Sequence, residues 1–241
     1  MKEPRVLAAT LVALAILVVG IALNSTFRIL AKRDRTLSVT GSATRMIRSD
    51  LGKLSVSIEA RGATTQQAYA LNQQQSARVL AELHRQGVPD SAIAPLPPVV
   101  NPVYETNNYG VNTHSVVGYV SRSGYAIMLQ NVNLINQLAQ KLPELNQEGL
   151  RVEVTQPEYY YTKLGEVKVA IQADAARDAR QRALQIAEAS EADLGPMTSA
   201  RMGVLQITPR YSVNVDDYGM NDVSSIEKEV RAVVSASFVL E

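Results

Sequence analysis

Residues 173–187 read ADAARDARQRALQIA. Ala175, Ala179 and Ala183 recur every four positions, and the series continues back through Ile171, Val167 and Leu164 and forward to Ile186. That period predicts one long helix over about 163–192 with a single apolar stripe. Asp178 and Arg182 fall four apart on its polar side in the favoured acid-before-base order. Alanine on the stripe lets the helix axis come close to whatever it covers, and the flanking sequence predicts a sheet. Gly195 and Pro196 end the helix.

Strands lie on both sides of it. Residues 228–240 alternate, with Val230, Ala232, Val234, Ala236, Phe238 and Leu240 on one face and Arg231, Val233, Ser235, Ser237 and Val239 on the other. The second face is not strongly polar, which predicts cover on both sides. Another strand is expected at about 199–211, and Leu150, Val152 and Val154 begin one that runs towards Tyr159, Tyr160 and Tyr161. The first half repeats this order. TLSVTG, 36–41, reads as a short strand ending at Gly41, and Leu54, Val56 and Ile58 alternate with Ser55, Ser57 and Glu59. A helix follows, opened by a Thr64/Gln67 capping box, striped by Ala68, Leu71, Leu80 and Leu83, and stopped by Gly87 and Pro89. Residues 95–105 hold Pro95, Pro97, Pro98 and Pro102, so they form an edge strand or an irregular arm. TNNYGVN, 106–112, is a polar turn, 115–129 a strand, and 132–146 a helix ended or kinked by Pro143. The fold class is α+β, antiparallel sheet with packed helices. Two related halves, 36–147 and 148–241, are expected from element order.

Residues 6–23, VLAATLVALAILVVGIAL, carry no charge. As a helix they would span about 27 Å, close to the hydrocarbon thickness of a bilayer. Lys2 and Arg5 precede the run, and no A-x-A cleavage pattern follows it, which favours an uncleaved anchor over a signal peptide. Residues 1–35 then form the anchor and juxtamembrane segment, and 36–241 the domain. Arg28, Lys32, Arg33 and Arg35 on the far flank oppose an inside amino terminus by charge count, so charge alone leaves the sidedness open.

Lys plus Arg is 24 against 23 for Asp plus Glu. The domain after residue 35 is mildly acidic, which argues against nucleic acid as a partner. With no Cys, disulfide and thiolate chemistry are excluded, and two His leave little for a zinc site.

The strand Ser38-Val39-Thr40-Gly41-Ser42-Ala43, then Asp50 and the strand Ser55–Gly62, resemble the opening of SIMPL-domain proteins. Ala68 and Asn72 match that family's A-x-x-x-N helix, and Gly87-Val88-Pro89-Asp90-Ser91-Ala92-Ile93 its following turn; Gly118-Tyr119 opens the next strand in the same manner. In the second half, Asp178, Ala179, Arg182, Ala183, Ile186 and Ala187 match A-x-x-D-A-x-x-R-A-x-x-I/L-A, with Leu194-Gly195 after it. Tyr159–Leu164 and Ala200–Pro209 look like a membrane-anchored bacterial branch. Arg48-Ser49 departs from the Lys-Pro that many members carry. The resemblance covers about 36–241. It implies a single-pass protein of the bacterial inner membrane with its domain in the periplasm, and a family with hollow oligomers and links to envelope or oxidative stress. It implies no catalytic, cofactor or metal residues.

The residues themselves offer little chemistry. His114-Ser115 lacks a G-x-S-x-G elbow and reads as a loop pair. His84 near a helix end reads as complementing its dipole. Asp216, Asp217, Asn221, Asp222, Ser224 and Glu227 are oxygen-rich, as calcium prefers, yet Gly219 stands at the wrong spacing, so a turn capped by its own side chains is expected. Tyr159, Tyr160 and Tyr161 suit packing, a protein interface or a ligand; strand geometry puts the outer two on one face. No phosphate loop occurs. The expected function is a non-enzymatic, membrane-anchored periplasmic protein that forms a large homo-oligomer through the 95–105 arm and the final strand. The alternative is a monomeric ligand-binding or accessory module with an apolar pocket near the tyrosines. A hydrolase using His114 or Asp50 is the remote third reading.

Overall fold

The structure is a computed structural model that describes residues 19–20, 35–106, 109–214 and 216–241. In chain order it forms β1 (Thr36–Arg48), β2 (Leu51–Gly62), α1 (Thr65–Arg85), β3 (Ile93–Thr106), β4 (Asn112–Leu129), α2 (Val132–Lys141), β5 (Val152–Val154), β6 (Glu158–Tyr160), α3 (Leu164–Ala189), β7 (Leu194–Met202), β8 (Gln206–Pro209) and β9 (Glu227–Leu240). Among the described residues no helix is long and apolar enough to cross a membrane. The expected anchor at 6–23 lies outside the described residues except for Val19 and Gly20, which are helical.

These strands pair antiparallel in two sheets built on one plan. In the first, β9 is central, with β1 along one side and β7 and β8 end to end on the other. In the second, β2 is central, with β4 and then β3 on one side and β5 and β6 end to end on the other. The sheets do not divide the chain at 147/148. β1 crosses to the C-terminal strand, and β5 and β6 return to β2. The final strand therefore has both edges paired, so it offers no edge for a subunit contact.

Helix α3 covers the first sheet. Val167, Ile171, Ala175, Ala179, Ala183 and Ala187 are buried, whereas Ile186 is exposed; the stripe ends on Ala187. Gly41 does not end β1, which runs on to Arg48. It is instead the point where α3 touches the strand: a Cβ there would lie 2.2 Å from the Ala179 amide nitrogen and 2.4 Å from the Ala175 carbonyl. Glycine on the strand and alanine on the helix are two halves of one backbone-to-backbone contact. Asp178 reaches the edge of β1, accepts the Ser42 amide at 2.7 Å and is braced by Arg182 Nε at 2.8 Å. That bond from Ser42 leads the causes holding its carboxyl below the usual range. An occupied edge amide is unavailable to a foreign strand.

Helices α1 and α2 cover the second sheet with larger side chains. Leu54, Val56, Ile58, Val79, Leu83, Ile127, Ile135 and Leu138 form its core. The Thr64 cap holds the Gln67 amide, and Gln67 Oε1 returns to the Ala63 amide. Leu71 is exposed, and the polar Asn72 and Ser76 take the buried face instead. Asn72 fits because its amide donates to the Ile58 and Ser121 carbonyls at 3.0 and 3.2 Å. Gly62 repeats the role of Gly41, with a Cβ there 2.4 Å from the Ala68 nitrogen. α1 ends with Gly87 at φ +85° and a Val88 amide bonded to the Leu83 carbonyl, a left-handed helix stop. After Lys141 the expected helix tightens to a 3-10 turn over Leu142–Glu148, as Pro143 requires.

Candidate functional site

Two regions of the fold are left to be explained by something other than packing. One is the joint between the sheets. β1 and β2 are separated only by Ser49 and Asp50. The Ser49 amide bonds to Ile226 of the first sheet's loop, and the next amide, Asp50, bonds to Tyr160 of the second sheet. The Asp50 carboxylate accepts from the Thr162 amide and hydroxyl, both at 2.8 Å, and so fixes the approach to α3. The Tyr159 amide bonds to Val223.

The loop that supplies these contacts is held by a buried ion pair. Asp222 takes hydrogen bonds from Ser224, Ser225 and Lys228, whose Nζ also meets the Asp222 carbonyl. Both side chains are buried. Burial pushes the Asp222 carboxyl up, but the serine bonds and the Lys228 charge outweigh it and hold the pKa at about 2. Burial lowers the Lys228 pKa, and Asp222 only partly restores it. The oxygen-rich loop thus does cap itself through Asp222 and Ser224, and its cation is a lysine. Elsewhere in it, Asp216 binds the Tyr218 amide and Glu227 pairs with Arg48 at 2.7 Å. No group of three or more His, Cys, Asp or Glu suited to a metal occurs among the described residues.

The three tyrosines sit at the same joint, but not as strand alternation predicts. β6 stops at Tyr160, so Tyr159 packs into the second sheet's core and Tyr161 against the first sheet's core. Tyr160 donates to Glu158 at 2.5 Å, which raises the phenol pKa and lowers that of the carboxyl. A cavity of about 60 Å³ lies between the tyrosines, Ile207 and Lys228. Ligand sites run to about 300–1,000 Å³, so this one has room for little more than water. His84 bonds to Asp90 at 2.7 Å, while His114 and Ser115 lie exposed on β4. The structure does not bring His114 and Asp50 together: they occupy the ribbon and the joint.

The second region is the β3–β4 ribbon. β2 ends at Gly62, opposite Tyr119. Beyond that point, among the described residues, β3 and β4 pair only with each other, Val103 with Gly118, Tyr104 with Val116 and Thr106 with Asn112, with register shifts on either side of Tyr104. The Pro-rich arm is thus an edge strand, and its break in register spans Pro97 and Pro98. Tyr104, Val116 and Val117 are exposed there, Val117 at 61%. A hollow of about 370 Å³ lies at the ribbon's root, lined by Val103, Val117, Gly118, Tyr119, Gly62, Ala63 and Arg61. A two-stranded ribbon is marginal alone in water, and its apolar residues ask for a neighbour.

Sequence reasoning found the arm and missed Lys228. The signal was present: Lys228 holds the apolar parity of β9, two residues before Val230.

Two interleaved helix-on-sheet layers, joined where the chain passes from β1 to β2 and again from β6 to α3, define an α+β protein whose matched motifs are packing devices. The family model SIMPL, described as a protein of unknown function (DUF541), matches residues 37–238, and the chain belongs to that family. No curated protein matches the sequence. A crystal structure described as an amidohydrolase/peptidase from Burkholderia cenocepacia shares 16% identity over 55% of this chain and 32% of that one, with a TM-score of 0.22. This chain therefore spans about a third of that protein, and a likeness of that size supports no statement about fold or activity.

Proposed function

We propose that this is a non-enzymatic protein of the bacterial envelope, held in the inner membrane by residues 6–23 with its domain in the periplasm, that self-assembles through the β3–β4 ribbon. The observation carrying the reading is the ribbon itself: a two-stranded projection with exposed Tyr104, Val116 and Val117 and no third strand among the described residues. Placement supports it. Thr36, next to the proposed anchor, starts β1 at the end remote from the sheet joint, and the ribbon leaves the second sheet at its own remote end. Anchoring concentrates copies on one surface, so a modest contact suffices. The edge of β3 is blunted by Pro95, Pro97, Pro98 and Pro102, which favours contact through the ribbon's faces over strand addition. The test is the mass of the full-length protein in mild detergent, beside Val116→Ser/Val117→Ser. A large discrete assembly that shrinks in the variant supports the reading; a monomeric wild type ends it.

A further inference from the structure

On the solvent face of the second sheet, three guanidinium groups from three strands and loops converge on one carboxylate. Glu59 of β2 accepts from Arg61 Nε at 3.0 Å, from Arg122 Nε and Nη2 at 3.1 and 2.8 Å, and from Arg151 Nη1 at 3.4 Å. Partial burial pushes the Glu59 carboxyl up, but the arginine bonds outweigh it and keep the pKa below its ordinary value. The three arginines are each more than half exposed, while Glu59 is 21% exposed beneath them.

A single carboxylate does not balance three cations. Each guanidinium has five N–H donors, and Glu59 engages one or two of each. Exposed ion pairs contribute about 0–1 kcal/mol each, so stability does not account for gathering like charges from β2, β4 and the segment before β5. Beside them on the same face, Ser57 of β2 pairs with Gly124 of β4, and neither puts a large side chain there. Ser57, Glu59, Arg122, Arg151 and Glu153 line a hollow of about 230 Å³ there; with Arg61 beside it, three guanidinium groups stand against two carboxylates.

We infer that this arginine cluster on the solvent face of the second sheet binds an oxyanion of the phosphate type, with Glu59 as an internal anion that competes for the guanidinium donors. Arginine forks match phosphate geometry through paired N–H donors, which a lone lysine cannot do. Arg61 also lines the hollow at the ribbon's root, so the site borders the ribbon, while Arg122 and Arg151 face the separate hollow beside Ser57.

The test follows the Arg61, Arg122 and Arg151 Nε–Hε NMR signals of the full-length chain in non-ionic detergent. Inorganic phosphate and glycerol 3-phosphate are titrated separately at constant ionic strength. Saturable shifts confined to these three signals are expected, with Glu59→Gln binding at least fivefold tighter and Arg122→Gln/Arg151→Gln at least tenfold weaker. Preference for the ester identifies a headgroup-type ligand, and preference for the ion free phosphate. No saturable shift with either anion overturns the inference. So does weaker binding by a folded Glu59→Gln chain, since a merely structural cluster loses its order without gaining a vacancy.

Discussion

The two sheets share a strand plan and pack their helices with different shares of main chain and side chain. α3 meets β1 through Gly41, Ala175 and Ala179, with main chain against main chain. α1 and α2 meet β2 through Leu83, Val79, Ile135 and Leu138, interdigitated with Leu54, Val56 and Ile58. Dispersion and burial serve both, but main-chain approach sets the middle of the first seam, whereas in the second it is confined to Gly62 against Ala68 at one end and side chains set the rest. The first layer also encloses an ion pair, Asp222 with Lys228, next to its aliphatic core. The second layer's core is aliphatic apart from Tyr159.

The contrast breaks most completely at Gly41. Gly41→Leu drives atoms into the α3 backbone, which has no rotamer to escape with, and more than about 4 kcal/mol is expected to be lost. Urea unfolding measures it; a loss near 1 kcal/mol would mean the seam is loose. Lys228→Ala leaves Asp222 buried without its cation, at about 3–5 kcal/mol, while a double change to apolar residues recovers most of that. Leu83→Ala opens a cavity in the second seam and costs about 3 kcal/mol, whereas Ala179→Gly, the smaller truncation in the first, costs about 1 kcal/mol by helix propensity.

Acid sharpens the comparison further. The Asp222 pKa is lowered from 3.8 to about 2, so its contribution is complete above pH 4 and disappears as pH falls through about 2. Wild type should lose about 2 kcal/mol more over that interval than Asp222→Asn, and parallel pH profiles would refute the assignment. The smallest effect is at Asp178. Removing its carboxylate with Asp178→Ala costs about 1 kcal/mol and exposes the Ser42 amide, seen as faster hydrogen exchange at that residue alone.

Much of this architecture was readable as period. The α3 stripe, the alternation of β2 and β9 and the Thr64 cap follow from spacing, because one face of each element is apolar and the other is not. What escaped was whatever depends on another element's position. Gly41 reads locally as a strand end, since only the approach of α3 reveals why the position must stay bare. Asn72 reads as polar surface until the Ile58 and Ser121 carbonyls come within reach. The pairing of β1 with β9 spans nearly the whole domain, and no local pattern states it. The arginine cluster needs the register Glu59 with Arg122 to exist at all.

The two-residue passage through Ser49 and Asp50 also has a mechanical meaning. Were the chain held at the membrane and by a neighbouring copy as proposed, tension would enter at Thr36 and leave through β4. It would run along β1 in the covalent backbone and cross from β2 to β4 through their ladder, which is loaded in shear because Leu51 and Tyr119 lie at opposite ends of it. The hand-over at Ser49 and Asp50, where one amide grips each sheet, is the narrowest link. Under pulling from residue 36 against residue 119, the sheets are expected to part at that link before either unravels, extending the molecule by a short first step. Asp50→Ala would lower the force of that step and leave the later ones unchanged.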